Sequence, residues 1–207
     1  MKKNYFFSKL IERLAMKSHL KLDRIHFNKE ELYHSYKKIA MASGWAINQI
    51  PLQHVKGQPD LNGSHSLKDP KYANLKKETE IDTWYSEFED SYIVQCLKSL
   101  PFPVYRSRLL SIEPRKCYSI HKDKGFRLHI PIYGAYDTEG KGGRFIFDHG
   151  EVLQMEEGTA YVINTNLYHT AINGSIEEKR THLVCFLPEK EDTDNSYLLD
   201  IYNKMGV

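Results

Sequence analysis

Residues 105–134 read YRSRLLSIEPRKCYSIHKDKGFRLHIPIYG, residues 142–174 read GGRFIFDHGEVLQMEEGTAYVINTNLYHTAING, and residues 179–187 read KRTHLVCFL. After Pro103 the hydrophobic period changes from helical to alternating. Short β-branched or aromatic runs follow one another: VYRSRLLSI, KCYSI, FRLHIPIYG, GRFIFD, EVLQM, TAYVIN, LYHTAIN and THLVCFL. Turn signals separate them: Pro114-Arg115, Asp123 to Gly125, Thr138 to Gly143, His149-Gly150, Glu156 to Gly158, Asn164 to Asn166 and Asn173-Gly174. Eight strands at such spacing predict an antiparallel sandwich or barrel of the jelly-roll type. The expected fold is therefore mostly β with flanking helices, around a double-stranded β-helix, cupin-like core.

On either side of this block the period is helical. Residues 4–16 carry Phe6, Leu10, Ile11 and Leu14 at helical spacing, which predicts an amphipathic helix. Asn28, followed three residues later by Glu31, starts a second helix with a capping-box-like signature. SYIVQCLKSLPF predicts a third that ends before Pro101. SYLLDIYNKM predicts a fourth at the C-terminal end. From Trp45 to about Thr83 the chain is rich in Gly, Pro, Asn and Lys, with strand-like pieces such as INQIPLQHV. A long loop is expected at residues 57–80, either covering a cleft or disordered. One domain is expected over 1–207: a helical and irregular support region (1–100), a jelly-roll core (101–188) and a C-terminal helix (189–207).

A chain of 207 residues is long enough for one domain with a sizeable core. Its formal net charge of +2 gives no argument for nucleic-acid or membrane binding. No apolar run approaches the roughly 20 residues that a membrane helix needs. Lys9, Glu12 and Arg13 interrupt the N-terminal apolar stretch, so a signal peptide is not expected. Cys96, Cys117 and Cys185 are odd in number and widely spaced, which predicts free thiols in a reducing, cytoplasmic setting.

His121 and Asp123 stand where the run ending in YSI enters a turn. Residues two apart on a strand point to one face, so an imidazole and a carboxylate can converge there. His169, on LYHTAIN, adds a second imidazole if an early and a late strand are spatial neighbours. Two His and one carboxylate form a facial metal site that leaves positions open on iron(II). The triplet alone is weak, because composition produces a His-x-Asp by chance about as often as not. A competing triplet, His149-Gly150-Glu151, lies at the tip of a tight turn where polar residues and Gly are expected anyway. The company of the first set is more telling. Arg180 begins the strand after His169 and presents a guanidinium fork suited to a carboxylate. Arg127 and His129 share one face of their strand, with Leu128 and Ile130 opposite. Arg106 and Arg108 alternate on the first core strand. They stand either as substrate-carboxylate contacts or as solvent-facing arginines. Trp45, Trp84 and Tyr85 are cleft or core residues.

The segments RSRLLSIEP, the HKD step, FRLHIPIYG, GEVLQMEEGTAYVINTNLYHTAING and RTHLV resemble, in order and spacing, the aspartyl/asparaginyl β-hydroxylase family of iron(II)- and 2-oxoglutarate-dependent oxygenases. The resemblance covers residues 105–187. It implies His121, Asp123 and His169 as iron ligands and Arg180 as the partner of the far carboxylate of 2-oxoglutarate. It also implies Arg127 and His129 as further co-substrate contacts. Dioxygen would be the second co-substrate, and the substrate an Asp, Asn or Pro side chain, in a peptide or as the free amino acid. Some relatives lack the acidic ligand, whereas this chain keeps Asp123. It departs from the family at EPRKC, where many relatives have a Pro-Gly turn. Two rival readings remain open at this point: a cupin-type metal enzyme that does not use 2-oxoglutarate, and a non-catalytic jelly-roll binding module. The oligomeric state is not legible.

Overall fold

The computed structural model describes residues 16–43, 48–64, 67–134 and 142–207. The helix expected over residues 4–16 lies outside these but for Met16, and so does Trp45. The described strands are β1 (His19–His26), β2 (Gln49–Pro51), β3 (Gln53–Val55), β4 (Ile81–Trp84), β5 (Tyr105–Ile112), β6 (Lys116–Cys117), β7 (Phe126–Tyr133), β8 (Gly143–Phe147), β9 (Val152–Leu153), β10 (Thr159–Asn164), β11 (His169–Asn173) and β12 (Arg180–Leu187). The described helices are α1 (Lys29–Ser43), α2 (Tyr92–Lys98) and α3 (Ser196–Met205).

All eight runs read from the sequence form strands, β5 through β12. They divide between a six-stranded sheet of order β1-β10-β7-β12-β5-β2 and a four-stranded sheet of order β6-β11-β8-β9. Every pairing in the two sheets is antiparallel. Along the chain from β5 to β12, the strands cross between the sheets at each step except β8 to β9, which form a hairpin within one sheet. That alternation is the double-stranded β-helix. β1 and β2 extend the larger sheet at its two edges, and β3 pairs with β4 beside it.

The larger sheet is buried on both faces, which is why β12 shows eight buried residues in a row instead of an alternation. On the outer face Leu128, Ile130, Ile132, Val162, Leu183, Cys185 and Leu187 join one apolar core with helix residues such as Leu32, Ile93 and Tyr202. Leu128, Ile130, Leu183 and Leu187 are wholly removed from solvent, each contributing about 1.5–3 kcal/mol relative to exposure. On the inner face Ile112, Tyr161 and Ile163 meet Phe145, Phe147, Leu153 and Ala171 of the smaller sheet. The inner face also carries a polar group that lines the space between the sheets: Arg127 and His129 on β7, Arg180 and His182 on β12, and Arg108 on β5. Trp84 and Tyr85 pack against the outer core.

The helices begin where the sequence signals placed them. Asn28 Oδ1 accepts from the backbone N–H of Glu30 and Glu31, capping α1. Ser91 caps α2 through Val94 N–H, and Asn195 caps α3 through Leu198 N–H. The described residues of 57–80 are irregular, with short 3-10 turns at Pro70–Tyr72 and Glu78–Glu80. The segment is built against the jelly roll. Gly63 C=O accepts from Arg106 Nε and Nη2 and from Arg108 Nη1 at 2.9–3.1 Å. Gly63 has φ +68°, and a Cβ there would overlap the Arg106 side chain.

Candidate metal centre

The smaller sheet brings the first two imidazoles together. Beyond β6 the chain continues along β11, with Tyr118 N–H bonded to Ala171 C=O. His121 and His169 then face each other across a β-bridge, each donating its N–H to the other's C=O at 3.0 and 2.8 Å. Directly opposed residues of an antiparallel pair carry their side chains on one face at close range. The two rings are 4.6 Å apart, centroid to centroid. The turn after His121 brings in Asp123. Its N–H bonds Thr165 C=O at 2.9 Å, and two residues on, Gly125 is clamped by the side chains of Thr165 and Asn166. One ligand atom from each of His121, Asp123 and His169 lies within 4.8 Å of the others.

Both imidazoles are oriented by the backbone. His121 Nδ1 lies 2.7 Å from Ser119 C=O, and His169 Nδ1 lies 2.8 Å from Leu167 C=O. A carbonyl only accepts, so each Nδ1 carries the proton and each Nε2 keeps its lone pair for a metal. His169 is buried, and Phe145 stacks on its ring at 4.9 Å. Burial lowers the His169 pKa, which holds the ring in the neutral form that can ligate. His121 is half-buried and Asp123 exposed. Two imidazoles, each with Nδ1 turned to a backbone carbonyl, and one carboxylate on one side of a point suit a divalent first-row metal such as iron(II).

These three residues open onto a cavity of about 320 Å³ between the sheets, which they share with Arg108, Arg180 and His182 among others. The register of the larger sheet orders its wall. On β12 and β5, Arg180 faces Ile112, His182 faces Leu110, and Val184 faces Arg108. On β12 and β7, Val184 faces His129 and Phe186 faces Arg127.

The arginines divide into two kinds. Arg127 Nη2 and Arg106 Nη1 bind the two oxygens of Glu78 at 3.0 and 2.7 Å. Arg127 also stacks on Phe186 and bonds the carbonyls of Lys124 and Phe126. Arg106 does not line the cavity. A β-bulge sets Arg106 and Ser107 against the single residue Cys185, with Arg106 at φ +45°, and this breaks the simple alternation with Arg108. Arg108 and Arg180 both line the cavity, and among the described residues no carboxylate pairs with either. Arg108 binds the neutral Gly63 carbonyl, and its Nε–H has no acceptor among the described residues. Arg180 is buried, approaches His182 Nδ1 at 3.4 Å through Nη2, and its Nε–H also has no acceptor among the described residues. Burial lowers Arg108 to about 9 and Arg180 to about 10, so both remain cations at neutral pH. Gly143 makes room for Arg180, because a Cβ there would overlap its Cδ and Nε. His129 is buried against Phe145 and His182, and burial holds it well below the usual imidazole range.

The alternative triplet stands elsewhere. His149 and Glu151 bind each other at 3.0 Å, and Glu151 also meets Ser18 and His19 of the β1 end. Neither His149 nor Glu151 lines the cavity. Among the residues that sequence reasoning missed are Glu78, which holds Arg127 of the cavity wall, and His182, which lines the cavity. Glu78 gave no signal. His182 repeats on β12 the Arg-x-His spacing of Arg127 and His129, and that repeat could have pointed to it.

No protein-family model matches the chain, and no curated protein matches it. Among solved structures, a prolyl-4-hydroxylase from Pseudomonas putida is 13% identical, the match covering 87% of this chain and 92% of that one at a TM-score of 0.45. A viral collagen prolyl hydroxylase from Paramecium Bursaria Chlorella virus-1, solved with 2OG, is 12% identical, covering 83% and 97% at 0.44. A cupin superfamily protein from Desulfitobacterium hafniense is 14% identical, covering 42% and 68% at 0.33. At these scores the likenesses add nothing to the fold that the strand order already defines.

Proposed function

We propose that the protein is an iron(II)- and 2-oxoglutarate-dependent oxygenase of the aspartyl/asparaginyl β-hydroxylase type. It hydroxylates an unactivated C–H of an Asp-, Asn- or Pro-type side chain, in a peptide or a free amino acid. The observation that carries the reading is one cavity holding two unlike features: a His–Asp–His cluster with its Nε2 lone pairs free, and a buried arginine with no carboxylate partner among the described residues. Iron(II) and 2-oxoglutarate, when bound, supply the oxidising power that puts one atom of dioxygen on the substrate and the other in succinate.

The chain's own part is positioning. His121, Asp123 and His169 hold the metal from one side, leaving the cavity side open. Arg180 anchors the far carboxylate of 2-oxoglutarate, fixing the distance of its keto-acid end from the metal. The Leu167 and Ser119 carbonyls lock the imidazoles, so the ligand set is preorganised. Phe145 and Ala171 form dry wall around the reacting space. Arg108, whose Nε–H has no acceptor among the described residues, is left to meet an anionic or polar group of the substrate. Arg127 serves the wall through Glu78.

The test is anaerobic titration of the purified protein with iron(II) and then 2-oxoglutarate, following the weak visible charge-transfer band of the chelate. The expected result is a band in the wild type that is lost in His121→Ala and needs far more 2-oxoglutarate in Arg180→Ala. Iron binding without a band would favour a cupin-type metal enzyme of another class. No iron binding would leave a jelly-roll binding module.

A further inference from the structure

His182 lies on the inner face of β12, two residues from Arg180, with 1% of its surface exposed. It lines the same cavity as the metal cluster. Its Nδ1 lies 3.4 Å from Arg180 Nη2 and 3.4 Å from His129 Nδ1. A guanidinium nitrogen can only donate, so His182 Nδ1 is the acceptor of that pair. The ring is neutral, since burial and then the Arg180 charge push its pKa well down. Its proton is therefore on Nε2, and that buried Nε2–H has no partner among the described residues. Arg180 Nε–H, two residues away on the same face, is in the same condition. Two buried donors without acceptors are costly to leave so, and a carboxylate has two oxygens with enough lone pairs for both.

We infer that His182 is a second receptor for the acid held by Arg180, donating its Nε2–H to the same far carboxylate. Resting on the oxygenase reading, this makes the Arg180–His182 pair, rather than Arg180 alone, the element that selects a dicarboxylate 2-oxo acid over a monocarboxylate one. The imidazole supplies a directed neutral donor, and the guanidinium supplies the charge.

Three variants separate this role from that of merely orienting Arg180. In His182→Gln the side-chain amide can reach the Nε2 position and keep the donor. In His182→Asn it reaches only the Nδ1 position and keeps the acceptor for Arg180. His182→Phe keeps the volume and removes both. Each is titrated anaerobically with iron(II) and 2-oxoglutarate, and with 2-oxopentanoate, which has the same chain without the far carboxylate. Metal-free protein is titrated with glutarate by calorimetry. The expected result is that 2-oxoglutarate binding weakens about tenfold or more in the Phe and Asn variants and is largely retained in Gln. Binding of 2-oxopentanoate should be unchanged in all three. Retention in Asn with loss in Gln would overturn the inference, showing that His182 acts only through Arg180. So would equal loss for both oxo acids. If wild-type protein gives no band but binds glutarate in a His182-dependent way, the receptor stands and the oxygenase reading falls. If wild type binds neither acid, both fall.

Discussion

Removing the Glu78 carboxylate tests how the irregular 57–80 segment is held to the jelly roll. Glu78 bridges Arg106 and Arg127, with N–O distances of 2.7 and 3.0 Å, and the three side chains are only 15%, 9% and 5% exposed. In Glu78→Ala two largely buried guanidiniums lose their shared anion. Arg127 keeps its bonds to the Lys124 and Phe126 carbonyls, and Arg106 its bonds to Gly63, so neither is stripped of partners. What is lost is charge compensation. Breaking a buried pair by removing one partner costs about 3–5 kcal/mol. For a chain of this size that is a fall in Tm of about 6–20 °C. The burial of Arg127, which already pulls its pKa down, adds to the cost because its Glu78 counter-charge is gone. The assay is chemical denaturation of wild type and variant, with limited proteolysis alongside. Glu78→Ala should unfold at lower denaturant and be cut first within 57–80. A loss below about 1 kcal/mol, in the range of exposed ion pairs, would refute the argument that this cluster anchors the segment.

Gly143→Ala should cost about 1–3 kcal/mol in stability, because the new methyl overlaps Arg180 and lies 3.0 Å from its Cγ. The same substitution in an Arg180→Ala background should cost far less, which a double-mutant cycle by denaturation measures. Thiol titration of the native protein should show one fast cysteine, the exposed Cys117. Cys96 and Cys185 are buried, with burial raising their thiols to about 11 and about 12, and should react only on unfolding. Burial pushes the Glu151 carboxyl up, but bonds from Ser18 and His149 and the nearby His19 outweigh it, leaving a net lowering from 4.5. Its stabilising contribution is thus present above pH 4.5 and is lost as pH falls through the lowered value. Glu151→Gln should lower stability at neutral pH, flatten the acid limb of a stability–pH profile in that range, and leave low pH, where the wild-type carboxyl is protonated, little changed.

The core strands were legible because each is a short alternating or apolar run closed by a turn signal. That local chemistry survives into the structure from Tyr105 to Leu187. β1 was not legible. Leu20 and Leu22 alternate, but Ile25 falls out of phase across an irregularity between Lys21 and His26, so the period dissolves before it can be recognised. β4 was hidden in the same way inside a stretch dominated by loop residues. Spacing alone left the His121–Asp123 step weak, and the residues around it and the family resemblance singled it out; the structure brings His121 and His169 together across a β-bridge and Asp123 in by the turn that follows. The wall could not be read from alternation. Alternation puts Arg106 and Arg108 on one face, and a single bulge sends Arg106 to Glu78 and Gly63 instead. Which arginine keeps a free donor depends on a carboxylate 28 residues upstream of Arg106, in a segment with no periodicity of its own.

The pairing of β1 with β10 has a consequence for synthesis on the ribosome. His19 pairs with Ile163, which follows it by 144 residues. At elongation rates of about 5–20 residues per second, the first strand waits about 7–29 s before its partner exists. β2 likewise waits for β5, though less long. Until β10 exists β1 has no strand to pair with and carries exposed Leu20, Leu22 and Ile25, and the larger sheet closes only when β12, which lies between β7 and β5, has been made. Nascent chains stalled before Thr159 should therefore be a preferred client of hydrophobic-segment chaperones, and release of the full chain should end that association.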